Sequence, residues 1–296
     1  YLASAVKVAG FAALIRVFVG GFAAFATDWR PIIYALAVLS LVLGSVVAIV
    51  QRNVKRALAY SSIAHAGFVL IAVEAATDQG VAAALFYLAA YTIMVAGAFG
   101  VVTLVGRTGD GRHDLDDYKG LSRTNPVLAA MMAIFLFAQA GIPFTVGFVA
   151  KFEALIATVS AGSLALAAVA MLSAVVAAFL YLRIGVAMYM AGGDDGGDDA
   201  PPATAERVPV PRLAAVALGV CAVATVGFGV LPGWLTDVAI DAELVIVAEP
   251  EPTVIVPGPG DQPVLIDPTT GQPIDLQDLP IDLDQLEQLD SSTPGS

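Results

Sequence analysis

Seven stretches of this chain are each long enough and apolar enough to cross a lipid bilayer, and that removes most folds from consideration. They run roughly over Leu2–Phe25, Ile32–Val50, Ala57–Ala76, Val81–Val105, Val127–Thr158, Leu164–Met190 and Leu213–Leu231. A helix needs about 20 apolar residues to span the hydrocarbon core, and a helix satisfies its backbone polar groups there within one segment. Charged residues make up 14% of the chain, against roughly 25% in soluble domains. The expected fold is an all-α polytopic membrane protein with about seven transmembrane helices. The stretches are rich in Ala, Gly and Val, small residues that let helix backbones approach closely, so a packed bundle is expected.

The formal net charge of −12 belongs to one end of the chain. From Asp237 onward there are 13 acidic residues and no Lys or Arg, which leaves 13 acids against 14 bases before it, a net of +1. Cytoplasmic loops carry the excess of Lys and Arg. Arg52, Lys55 and Arg56 in the turn QRNVKR, and Arg107, Arg112, Lys119 and Arg123 in the loop 106–125, are separated by two crossings and so share a side. Arg183, Arg207 and Arg212 fall there too, while Arg16 and Arg30 stand opposite. The expected location is the cell inner (plasma) membrane, with the basic loops cytoplasmic, the first helix running outward and the tail outside.

Residues 1–235 are expected to form the transmembrane bundle, interrupted by the linker GGDDGGDDAPPATAERVPVP at 192–211, flexible by composition and cytoplasmic. Its Asp194, Asp195, Asp198 and Asp199 read as solvated rather than metal-binding. Residues 236–296, acidic and Pro-rich, read as a disordered tail. Cys221 is the one cysteine, so no disulfide framework exists. Tyr1 opens inside a helix-like segment with no Met before it, and the chain is expected to lack its natural N-terminus. No nucleotide loop, paired cysteines or haem-type ligand set appears, so no cofactor, metal or nucleic acid is expected on this chain.

Ionisable groups at membrane depth are costly and each needs a reason to be there. Lys151 lies in AQAGIPFTVGFVAKFEALIATV (138–159), about 12 Å along the helix axis beyond Pro143. Pro143 has no N–H and clashes with the carbonyl of Gln139, so the helix is expected to break there. Freed carbonyls at such a break hold water or a cation in transporters; the alternative is that Lys151 snorkels to the surface. His65, in KRALAYSSIAHAGFVLIA, lies about 15 Å inside the basic cap at Lys55. Ser61 is one turn behind it, flanked by Tyr60 and Ser62, and together they make a polar stripe. That histidine is either a structural hydrogen-bonder or a proton carrier. Lys7, in ASAVKVAGFAAL, again sits among small apolar residues. Desolvation loosens an ammonium's hold on its proton, so buried lysines suit proton relay, whereas arginine stays charged.

RNVKRALAYSSIAHAGFVLIA (52–72) and PVLAAMMAIFLFAQAGIPFTVGFVAKF (126–152), in that order, resemble the antiporter-like membrane subunits of respiratory complex I, the proton-pumping NADH–quinone oxidoreductase. ASAVKVAGF (3–11) and FLYLRIGVAMYM (179–190) fit as well, so the resemblance covers about 1–235. It implies fourteen transmembrane helices built on inverted five-helix repeats, each with one discontinuous helix, of which the seven stretches here would be the eighth to the fourteenth. It further implies that Lys7, His65 and Lys151 line a hydrated axis; the residues themselves, by type and spacing, set Tyr60, Ser61, Gln139 and Pro143 beside them in support. NADH, FMN, Fe–S clusters and a quinone would belong to other subunits, and the partners would be other membrane-arm subunits and the lipid bilayer. Two positions depart from the family pattern: Gln139 stands where serine is usual, and Glu153 where an aromatic residue is common. A subunit of a multi-subunit sodium/proton antiporter or of a membrane-bound hydrogenase, and a non-pumping spacer, are the alternatives.

Overall fold

The computed structural model describes residues 5–106, 113–190, 208–246, 253–255 and 264–266. Helix α1 (Ala5–Ile15) runs into a π-helical turn at Arg16–Gly21 and a 3-10 turn at Ala23–Phe25, so the first apolar run is not one straight rod. Then come α2 (Ala26–Val50), α3 (Val54–Glu74) and α4 (Asp78–Gly106). A 3-10 turn (Leu115–Tyr118) and the one-turn α5 (Leu121–Thr124) lead to α6 (Pro126–Ala140) and α7 (Val146–Ser160), the two halves of the fifth run. α8 (Leu164–Tyr189), α9 (Arg212–Val230) and α10 (Gly233–Ile246) follow. Five described stretches, Ala23–Val50, α3, α4, α8 and α9, are long and apolar enough to cross a membrane as single helices. With α1 and the broken α6–α7 pair they account for the seven expected runs, and the second begins earlier than its expected start at Ile32.

The basic turn and loop meet at one end of the bundle. Asn53 caps α3, its Oδ1 accepting the Arg56 N–H at 3.0 Å. The loop after α4 comes back to this turn, with the Val54 N–H donating to the His113 carbonyl at 2.7 Å and the Leu115 N–H to that of Arg52 at 2.9 Å. Arg183 of α8 donates to the Ile49 and Gln51 carbonyls at 2.7 and 2.8 Å. Beside them Asp116, 2.7 Å from Lys119, is held below the usual carboxylate range by that hydrogen bond and charge. At the opposite end Arg30 of α2 binds the Glu74 carbonyl at 2.8 Å and its carboxylate at 3.1 Å.

Small residues set the packing. A Cβ added to Gly44 of α2 would lie 2.4 Å from the Ala64 nitrogen of α3, so these two backbones touch and only glycine fits. Hydroxyls then cross between helices: Ser173 of α8 donates to the Leu41 carbonyl at 2.9 Å, and Thr158 of α7 to that of Ile71 at 3.1 Å. α3 is the most enclosed of the five long spans and α9 the least. Leu39 and Leu43 of α2 and Leu172 and Val175 of α8 are exposed and form apolar outer faces suited to lipid.

The C-terminal boundary differs from expectation. The compact unit extends from Tyr1 to Ala248, past the expected limit at 235, because α10 folds back and buries Leu235 and Ala239 in the core that α4 shares. The second unit, Glu249–Ser296, contains a short antiparallel ladder of β1 (Thr253–Ile255) and β2 (Val264–Ile266), with Thr253 opposite Ile266. The rest of the expected tail, and most of the 192–211 linker with its aspartates, lie outside the described residues.

Candidate functional site

The helix break is closed by backbone chemistry and by one side chain. Gly141 ends α6 with φ +88°, a left-handed conformation that favours glycine. Its N–H and that of Ile142 turn back to the Ala138 and Phe137 carbonyls at 3.0 Å each, a Schellman closure. That serves two of the last four carbonyls of α6 and leaves those of Gln139 and Ala140. Pro143 has no N–H to offer Gln139. From the second turn of α7, Lys151 Nζ reaches back and donates to both, at 2.7 and 2.9 Å. The ammonium therefore sits on the C-terminal, negative end of the α6 dipole. Lys151 is 7% exposed, so it does not snorkel. Gly229 of α9 backs the break, since a Cβ there would lie 2.3 Å from Thr145.

His65 on the enclosed α3 is gripped from both sides. Its Nδ1 lies 2.8 Å from the Tyr87 hydroxyl of α4, and its Nε2 lies 3.0 Å from the Tyr181 hydroxyl of α8. Tyr181 is also 2.8 Å from the Ser61 hydroxyl. Lys7 Nζ donates to the Ser62 carbonyl at 2.5 Å, the Ser62 hydroxyl at 3.0 Å and the Tyr91 hydroxyl at 3.4 Å. Tyr91 packs against the imidazole with ring centroids 5.2 Å apart. Lys7 and His65 thus share one polar cluster built from α1, α3, α4 and α8.

Contact between this cluster and Lys151 runs through an aromatic ring. The ammonium lies 5.3 Å over Phe68, which stacks on Tyr87 at 5.9 Å. Among the described residues no hydrogen bond joins Lys151 to His65 directly. The expected supporting residues divide accordingly. Ser61 faces the cluster, and Gln139 contributes its carbonyl while its buried Nε2 has no partner among the described residues. Pro143 sits in the break, and Tyr60 is 37% exposed, turned away from the histidine. Sequence reading missed Tyr87, Tyr91, Tyr181 and Phe68. Tyrosines inside apolar helices were the available signal, because a buried phenol needs a hydrogen-bond partner.

The donor arithmetic defines what these groups can do. A neutral imidazole donates from one nitrogen and accepts at the other. With Nε2 protonated it donates to Tyr181, which donates to Ser61, while Tyr87 donates to Nδ1; with Nδ1 protonated those roles reverse at His65. Both tautomers fit the same heavy atoms. A lysine ammonium has three N–H bonds and a neutral amine two. Lys151 spends two on carbonyls, so its third proton can leave without breaking either bond.

Over residues 1–177 the chain matches the family described as NADH:quinone oxidoreductase/Mrp antiporter, transmembrane. The chain belongs to that family. A relative in Thermobifida fusca, NADH-quinone oxidoreductase subunit N, is 44% identical over 235 residues, 78% of this chain and 41% of the relative. A chain of an archaeal membrane-bound sulfane sulfur reductase superposes with a TM-score of 0.71 at 26% identity, over 83% of this chain and 48% of its own. A chain of respiratory complex I from Thermus thermophilus superposes at 0.57 and 28% identity, over 70% and 45%. This member of the antiporter family therefore spans less than half the length of those relatives.

Proposed function

We propose that this chain is part of a proton-translocating membrane-arm subunit of an NADH–quinone oxidoreductase, similar to subunit N, in which energy from quinone reduction elsewhere in the complex drives proton movement. The observation that carries this reading is the Lys151 ammonium on the two open carbonyls of a broken helix, next to a histidine–tyrosine cluster that tolerates either tautomer. Lys7 and His65 exchange protons through Ser62 and the tyrosines. Lys151 loads from this axis past Phe68 and discharges toward the outer side when the charge of the axis changes. NADH, FMN, Fe–S clusters and the quinone reside in other subunits, and neighbouring membrane-arm subunits and lipid cover the apolar faces. The end carrying Arg52, Lys119 and Arg183 faces the cytoplasm.

The test is His65→Gln in the intact complex. A glutamine amide donates and accepts, and so still serves the Tyr87 and Tyr181 hydroxyls, but it does not titrate. Expected is a lower proton-to-electron ratio in membrane vesicles, with quinone reduction by uncoupled vesicles retained. An unchanged ratio would assign the chain to the spacer role instead.

A further inference from the structure

A second site lies at the end of the bundle away from the basic loops. Asp78 at the start of α4, Glu153 of α7 and Glu243 of α10 line a cavity of about 330 Å³. Its remaining wall is largely apolar, with Ala83 and Phe86 on α4 and Ala239 and Ile240 on α10. Among the described residues no Lys or Arg lines it. Glu243 is only 7% exposed, yet no hydrogen bond or ion pair reaches its carboxylate among the described residues. Burial, and then the neighbouring Asp78 charge, hold that carboxyl above the usual glutamate range. The Glu243 carboxylate opens onto the cavity, and it gains from a cation brought beside it because Asp78 repels it.

The spacing limits what that cation is. Among the described residues no three His, Cys, Asp or Glu side chains stand close enough to share a metal ion. A compact ion would meet at most two of these carboxylates and leave the apolar wall bare. A cavity of this size with convergent polar groups instead suits a small molecule. We infer that the α4–α7–α10 cavity binds an amphipathic organic cation, a protonated amine on an apolar body, with the ammonium toward Glu243 and the body against Phe86 and Ile240. This site is separate from the Lys151 break and does not depend on the proposed pumping role.

Binding of hexylamine to the full chain in lipid nanodiscs, measured by titration calorimetry against empty nanodiscs, tests this. Hexanol and hexanoate serve as neutral and anionic counterparts of the same length. Expected is saturable hexylamine binding, at least tenfold tighter than hexanol, no saturable hexanoate binding, and a tenfold or greater loss in Glu243→Gln with its melting temperature retained. Glu153→Gln should weaken binding in the same direction, and it decides the matter if Glu243→Gln fails to fold. Equal binding of hexylamine and hexanol, or hexylamine affinity unchanged in the folded variant, would overturn the inference.

Discussion

Lys151→Ala should nearly abolish proton translocation by a complex carrying this chain, on the order of a 10²-fold loss, the scale on which a positioned proton-transfer group contributes. The variant removes the only side chain that donates to the Gln139 and Ala140 carbonyls among the described residues. Both are then open, and each buried carbonyl left unpaired costs about 1–3 kcal/mol unless water replaces the amine. A drop in melting temperature is thus expected beside the functional loss. Proton uptake and quinone reduction, measured together in vesicles, separate the two effects. A destabilised but still coupled variant would reduce both in proportion, whereas loss of the carrier lowers protons moved per electron. Wild-type stoichiometry in Lys151→Ala would refute the assigned role.

Gly147→Ala should be as damaging, through packing alone. A Cβ at this position in the first turn of α7 would lie 1.9 Å from the Ala138 carbonyl oxygen and 2.8 Å from the Met94 sulfur. Met94 can change rotamer, but Ala138 O belongs to α6 backbone already fixed by the Schellman closure. Overpacking a filled site typically costs about 1–3 kcal/mol, and a backbone clash this short lies at or above the upper end. To relieve it, α7 must move off α6, and Lys151 one turn later moves with it. The expected outcome is a melting temperature lowered by several degrees in detergent, together with an impaired proton-to-electron ratio. An unchanged melting temperature would mean that α6 and α7 pack less closely than a 1.9 Å approach of this Cβ to the Ala138 oxygen implies.

The break itself was legible because proline chemistry is local. Gly141 and Pro143 identify both the end of α6 and the carbonyl left open at Gln139, and the structure supplies Lys151 as the donor that closes it. The number of crossings was legible for a similar reason, since the bilayer imposes a length on each apolar run. Facing was legible only in part. Helical spacing put Ser61, one turn behind His65, on the histidine's face, but Tyr60 was expected to support it too, and the next residue along a helix points about 100° away. Ser61 turns inward, and Tyr60 is exposed. Tyr87, Tyr91 and Tyr181 come from two other helices, and only tertiary packing brings them to His65. Of the cavity at the far end of the bundle only Glu153, a departure from the family pattern, stood out in the sequence, because α10 read as the start of an acidic tail. Leu235 and Ala239 nevertheless give it an apolar face that packs against α4.

The proton-to-electron ratio of Lys151→Arg in the intact complex is the most direct test of whether the group at the break gives up its proton. A guanidinium offers donors to both carbonyls and keeps a positive charge on the α6 terminus, but it does not deprotonate at working pH. If Lys151 is a carrier, the arginine variant should assemble and pump no better than alanine. If it translocates protons with wild-type stoichiometry, a fixed cation suffices at this position and proton release from Lys151 is not part of the mechanism.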